Sequence, residues 1–271
     1  MKQYATYLNK SEDVKEFNTI AEKVHTAFNK KFYNADKKSY SNNTVTANLL
    51  PLSFGLAPEA DKAAIFNNIK SRLKEFDDHV NSGIIGGMWL MRGLTDNGAK
   101  DLAYKLATNK TYPSWGYMVE KGATTIWELW NGDAANPMMN SGNHQMLLGD
   151  LLIWYYENLA GIRSDTKEVA FKKIIMNPVF PEDLDFVEAS LNTKYGLVKS
   201  AWTKTATGLE WNITIPPNAT ADVFFPASDA AKVTEDGKAI SQKMLQSGNA
   251  DSKNKQMLTI GSGSYKFLVT K

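Results

Sequence analysis

This sequence predicts a multidomain α and β fold, helical in its first part and an antiparallel β-sandwich in its second. Three observations predict it. Apolar residues recur at helical spacing up to about residue 162, they alternate with polar residues beyond it, and Gly- and Pro-rich turn signals punctuate the second part. The 271 residues are 43% hydrophobic and 22% charged, which suits real cores and argues against disorder.

The helices come first. Val14, Phe17, Ile20, Ala21, Val24 and Phe28 step by three and four, the pattern of an amphipathic helix. Ser11 with Glu12 and Asp13 gives it a start, because acids suit the positive end of a helix. Residues 1–7 read as the last turns of a helix that begins elsewhere, which leaves any export signal out of view. Further helices are expected over 45–56, 59–76, 83–93, 97–108 and 140–160, separated by connectors such as Gly55-Leu56-Ala57-Pro58 and Asp96-Asn97-Gly98.

The strands follow a hinge at Ile162-Arg163-Ser164-Asp165. Trp211-Asn212-Ile213-Thr214-Ile215 alternates apolar with polar and stops at Pro216-Pro217. Ala221–Phe225 and Tyr265–Val269 read as further strands, with turns at Thr207-Gly208, Asp236-Gly237 and Gly261-Ser262-Gly263. No solenoid-type repeat is present.

Composition excludes several classes. The net charge is +2 with acids and bases mixed along the chain, so neither a nucleic-acid nor an anionic-membrane surface is expected. Cysteine is absent, which rules out disulfides and thiolate metal sites and leaves the compartment open. No segment is long and apolar enough to span a bilayer, and the N-terminus has no apolar signal core.

Residues 111–144 differ from the rest. Tyr112, Trp115, Tyr117, Trp127, Trp130, Glu128 and His144 sit among glycines and short polar side chains. Aromatic faces bind the apolar faces of sugar rings, and short polar groups reach the hydroxyls. A carboxylate among tryptophans can have its proton affinity raised, which suits acid–base work. Each residue alone has a plainer explanation. Trp127-Glu128-Leu129-Trp130 is as readily one turn of an amphipathic helix with Glu128 in water, His144 alone is more often structural, and Trp115 alone suits a core. Only the cluster favours a carbohydrate site.

The other acids read more simply. Asp133 suits a turn at least as well as a site, and Glu120-Lys121-Gly122 suits a helix end. Asp77-Asp78-His79 is too sparse for a metal centre, and Glu182, Asp183, Asp185 and Glu188 lack a calcium-ligand spacing. No metal and no cofactor is expected.

Three runs of residues resemble a known signature. Tyr112-Pro113-Ser114-Trp115-Gly116-Tyr117-Met118, Gly122-Ala123-Thr124-Thr125-Ile126-Trp127-Glu128 and Asn140-Ser141-Gly142-Asn143-His144 are similar, in order and spacing, to the motifs of family 78 glycoside hydrolases, the bacterial α-L-rhamnosidases. The resemblance extends to Thr46–Leu52 and Tyr104–Ala107 among the helices, and to Phe171–Pro178 and Ile215–Thr220 in the second part, so it covers essentially the whole chain. It implies a partial (α/α)6 helical toroid over residues 1–162 and a C-terminal β-sandwich over 163–271. It implies hydrolysis of terminal α-L-rhamnosyl bonds with inversion, by a carboxylic acid and a water-activating carboxylate about 6.5–9.5 Å apart. Glu128 corresponds to the base. Asn143 and His144 resemble residues lining the sugar subsite, and Trp115, Trp127 and Trp130 its walls. The implied partners are rhamnose-containing glycans or glycosides.

One departure matters. The family's general acid lies in a Trp- and acid-rich segment upstream of these helices, and residues 1–40 contain only ordinary helix acids. The chain is therefore expected to be a fragment that lacks the proton donor, is inactive alone, and pairs with a missing N-terminal barrel half or with itself. Competing readings are a non-catalytic carbohydrate-binding module using Trp202 or Trp211, a helical–β scaffold, and another helical-toroid glycosidase.

Overall fold

The computed structural model describes residues 1–226, 232–241, 245–247 and 255–270. Eight helices come first: α1 (Lys2–Tyr7), α2 (Ser11–Phe32), α3 (Val45–Ser53), α4 (Lys62–Lys74), α5 (Ile84–Asp96), α6 (Lys100–Thr108), α7 (Trp115–Glu120) and α8 (Gln145–Trp154). A two-residue ladder of β1 (Tyr33–Asn34) and β2 (Ser39–Tyr40) follows α2, and a π-helical turn (Tyr155–Leu159) extends α8. By contacts the chain forms two compact units, residues 1–93 with 105–147, and 94–104 with 148–271. The helical residues 94–104 and 148–161 thus group with the strands, whereas the division at residue 162 follows the sequence pattern.

In the first unit, α2 carries Glu12 and Asp13 in its first turn and Lys30 and Lys31 in its last, each suited to its end of the helix dipole. Ser11 is its first helical residue rather than its cap. The apolar stripe that marks this helix is largely open: α2 has no buried residue, and Ile20 and Val24 are exposed. Only Phe28, near its end, packs on the small core of Tyr40, Ala57 and Ile65. Asn48 of α3 is fully buried and holds this corner. Its Oδ1 accepts the Tyr40 amide at 2.8 Å and its Nδ2 donates to Asn43 Oδ1 at 2.6 Å. Thr44 caps α3, its Oγ1 accepting the Ala47 amide at 3.2 Å.

The second unit is the β-sandwich. Its strands are β3 (Ile162–Ser164), β4 (Lys173–Met176), β5 (Phe186–Thr193), β6 (Gly196–Thr205), β7 (Gly208–Ile215), β8 (Thr220–Phe225), β9 (Lys232–Glu235), β10 (Lys238–Ala239), β11 (Gln246–Ser247), β12 (Gln256–Ile260) and β13 (Gly263–Thr270). One sheet has the order β10-β9-β13-β7-β6-β5 and the other β11-β12-β8-β4-β3. All pairings are antiparallel except β4 with β8, which is parallel from Lys173↔Thr220 to Met176↔Val223. Leu209, Trp211, Ile213 and Ile215 alternate inward along β7, and Trp211 and Phe267 meet Phe225 of the other sheet edge-on. Trp202 and Trp211 are sealed in this core at 1% and 0% exposure, so neither is a platform for a sugar.

Two buried hydrogen bonds tie the end of the π-helical turn to this core, and a third holds the serine that makes one of them. Trp202 Nε1 donates to Leu159 O at 2.7 Å, Ser200 Oγ donates to Ala160 O at 2.7 Å, and Trp211 Nε1 donates to Ser200 Oγ at 3.0 Å. The chain then turns at Gly161 with φ +75°, where a Cβ would lie 2.2 Å from Pro178 N, so only glycine fits. Within the same unit, Asp96 Oδ1 accepts from Asn158 Nδ2 at 3.2 Å and from Arg163 Nη2 at 3.0 Å.

Candidate active site

The first unit contains a cavity of about 740 Å³. One side of it is made by Tyr112, Pro113, Glu128, Leu129 and Trp130, and the other by Thr44, Thr46, Phe76 and residues 80–84. Glu128 is the one carboxylate among the described residues that line it.

The irregular segment 121–144 places Glu128. Two extended stretches run side by side: the Glu128 amide donates to Ser141 O at 2.9 Å, and the His144 amide to Ile126 O at 2.6 Å. The Thr125 hydroxyl donates to Gly142 O, and the Leu129 amide to Asn140 Oδ1 at 3.1 Å. Glu128 itself is half-buried, and its Oε2 accepts the Ser141 amide at 2.9 Å. That bond fixes the carboxylate's orientation, and among the described residues nothing bonds Oε1. The Trp127–Trp130 stretch is therefore not a helical turn. Its backbone is satisfied by the 139–144 stretch instead.

The tryptophans take different positions. Trp115 begins α7, which Ser114 caps by accepting the Tyr117 amide at 2.9 Å, and it is 4% exposed. Its ring meets Trp130 edge-on, with centroids 5.1 Å apart, so Trp115 backs Trp130, which does line the cavity. Trp127 lies against Gly132, where an added Cβ would come within 2.7 Å of the indole. Asn143 is exposed and His144 half-buried, and neither lines the cavity. The Trp115 Nε1 and His144 Nδ1 atoms are buried without a hydrogen-bond partner among the described residues. The three motifs thus come together, the second and third by backbone bonds and the first through Trp115 and Trp130.

Asp133 accepts from Tyr117 Oη at 3.0 and 3.1 Å, and burial together with this bond raises the Tyr117 phenol above its ordinary value. Among the described residues no three His, Asp or Glu side chains gather to hold a metal. No described helix is long and apolar enough to cross a membrane.

The opposite wall escaped the sequence reading. Thr46, Asn81 and Ser82 line it. None of their side chains has a hydrogen-bond partner among the described residues, and Ser82 Oγ is fully buried. Gly86 in α5 permits this wall, because a Cβ there would lie 2.1 Å from Thr46 Oγ1 and 2.8 Å from Ser82 Cβ. The signal was present in the pair Gly86-Gly87 inside a helical pattern, since glycine costs a helix about 1 kcal/mol and marks close approach.

Comparison with known proteins gives consistent results. Residues 1–159 match the model of the bacterial α-L-rhamnosidase six-hairpin glycosidase domain, and residues 161–239 that of the bacterial α-L-rhamnosidase C-terminal domain. An α-L-rhamnosidase of Formosa agariphila is 32% identical over 97% of this chain and 29% of its own length. One from an Alteromonas species is 34% identical over 82% of this chain and 25% of its own length. Among solved structures, the α-L-rhamnosidase of Dictyoglumus thermophilum superposes with a TM-score of 0.89 at 33% identity, covering 100% of this chain and 30% of that one. That of Streptomyces avermitilis, complexed with L-rhamnose, gives a TM-score of 0.87 at 29% identity, covering 100% and 25%. The chain spans between a quarter and a third of the length of these relatives.

Proposed function

Since the chain belongs to the bacterial α-L-rhamnosidase family, we propose that its helical part, residues 1–162, carries the water-activating half of an inverting α-L-rhamnosidase site. The observation that carries this reading is Glu128, held by the Ser141 amide at the wall of a cavity beside Trp130. With Oε2 occupied, Oε1 is the oxygen that takes the proton from a water. That water attacks the anomeric carbon, the bond to the leaving oxygen breaks, and a carboxylic acid on the opposite face protonates that oxygen. Trp130 and Tyr112 offer the apolar wall for the sugar ring, and Thr46, Asn81 and Ser82 the hydroxyl-reading wall.

Among the described residues no second carboxylate lines the cavity. Missing acid assistance costs about 10²–10⁴-fold, and missing positioning adds to that. These 271 residues alone are therefore expected to bind L-rhamnose without measurably cleaving aryl α-L-rhamnosides. The open stripe of α2 is where further helices of a six-hairpin domain, or a second copy, would pack.

The test combines rhamnoside hydrolysis with L-rhamnose titration followed by tryptophan fluorescence. Expected are no turnover and a saturable signal that Trp130→Ala weakens. Turnover abolished by Glu128→Gln would show that these residues already supply the acid. A folded chain that ignores L-rhamnose would sink the site assignment.

A further inference from the structure

Asp133 is a carboxylate of the 111–144 segment that the mechanism above does not use. It follows Trp130 in two tight turns, where the Gly132 amide donates to Leu129 O at 3.1 Å and the Ala134 amide to Asn131 O at 2.9 Å. It does not line the cavity, and neither does Tyr117 of α7, whose hydroxyl it accepts. Both stand behind residues that flank or form the wall. The Tyr117 ring meets that of Tyr112 edge-on, with centroids 5.4 Å apart and planes at 75°. Gly132, next to Asp133, packs on the indole of Trp127, the neighbour of Glu128. Tyr112 and the Glu128–Trp130 stretch make the same side of the cavity.

The geometry of this bond suits a carboxylate. Tyr117 Oη lies 3.1 Å from Oδ1 and 3.0 Å from Oδ2 of Asp133, so one phenol hydrogen is shared by two oxygens. An ionised acid offers two equivalent acceptors there, whereas an amide offers one acceptor and one donor. Hydrogen bonds to a charged acceptor are also about twice as strong as neutral ones. Lys121, at the end of α7, sits beside the pair, its Nζ 3.9 Å from Oδ2 and 5.5 Å from the centroid of the Tyr117 ring. Burial, and then this bond, hold the phenol above its ordinary value, so Tyr117 remains the donor. The bond joins α7 to the turn after Trp130, as the edge-on contact of Trp115 with Trp130 does.

We propose that Tyr117 and Asp133 are positioning residues, whose bond docks the stretch carrying Glu128 and Trp130 onto α7 and so sets the shape of that side of the cavity. This rests, for its bearing on sugar binding, on the cavity being the rhamnose site. The two ends of Tyr117 do different work. Its ring backs Tyr112, and its hydroxyl holds the turn that packs on Trp127. A chain without the bond is undocked part of the time, and its apparent affinity for a ligand of the cavity falls with the docked fraction.

The test compares Tyr117→Phe, Asp133→Ala and Asp133→Asn with the wild-type full chain, by proton NMR and by calorimetric titration of L-rhamnose. Tyr117→Phe keeps the ring and removes the hydroxyl alone. The Trp130 ring signals, identified with Trp130→Phe, are expected to move in Tyr117→Phe and in Asp133→Ala, because undocking loosens Trp130 from Trp115. L-rhamnose is expected to bind about three- to tenfold more weakly to each, and no more weakly to the two combined. Asp133→Asn, which keeps one acceptor, is expected to fall between alanine and wild type in both readouts. A merely structural role would lower the melting temperature and leave the affinity of the folded chain unchanged, and that outcome would overturn the proposal. So would Trp130 signals that stay put, losses that multiply in the double variant, or an asparagine variant as impaired as the alanine one. Trp130 signals that move as expected, with no L-rhamnose binding to any of these proteins, would instead count against the sugar-site reading and leave the docking bond standing.

Discussion

Replacing Ser200 by alanine should expose how the sandwich core is held to the helix that enters it. Ser200 is fully buried on β6 and its hydroxyl serves two partners, donating to Ala160 O and accepting from Trp211 Nε1. Removing it strands both groups out of water. An unsatisfied buried donor or acceptor costs about 1–3 kcal/mol, and a lost oxygen atom leaves too little space for a replacement water, so the expected loss is about 2–4 kcal/mol. Trp211→Phe removes only the indole donor, leaving Ser200 bound to Ala160. In the double variant no indole hydrogen is left unpaired. The double variant should thus cost less than the sum of the two single ones by about 1 kcal/mol. Urea denaturation, followed by the near-ultraviolet signal of the buried tryptophans, measures all three. A Ser200→Ala loss below about 0.5 kcal/mol, or strict additivity, would refute the reasoning.

Two further outcomes follow from local geometry. Gly86→Ala should destabilise the first unit by about 1–2 kcal/mol, since overpacking against Thr46 and Ser82 outweighs the helical gain of alanine; adding Thr46→Ala should restore the melting temperature and leave L-rhamnose binding weakened. Lys255 is held by Asn177 Oδ1 and Pro178 O, and burial, followed by the nearby Arg163, lowers its ammonium to about 8 from the ordinary 10.5. The unfolded chain binds the extra proton between those values, so this lysine's destabilising effect is complete below about pH 8 and is relieved as pH rises to about 10.5. The slope of stability against pH in that window, up to about 1.4 kcal/mol per unit, should flatten in Lys255→Met.

Much of the fold was legible because burial imposes a period. The alternation around Trp211 announced an inward face, and the three- and four-step spacing over Val14–Phe28 announced α2. The spacing could not announce that α2's stripe stays open, because periodicity records which face is apolar and not what covers it. The parallel pairing of β4 with β8 was hidden as well, since a four-residue strand of Ile and Met carries no mark of its partner's direction. In the site, Glu128 and Trp130 stood out through aromatic crowding. Thr46, Asn81 and Ser82 did not, because short polar residues at helix starts and in loops are everywhere on protein surfaces and become informative only when a cavity gathers them.

The same β4–β8 pair sets an order of assembly. Strands β5, β6 and β7 are joined by short hairpins and can zip locally. They all lie between Met176 and Thr220, the chain positions that β4 and β8 must bring side by side. The second sheet is thus cut in two until that long loop closes, with β3 and β4 on one side and β8 and β12 on the other. Closing it is a slow, non-local event, and because β12 and β13 come later still, a nascent chain stays vulnerable to aggregation until those last strands have been made.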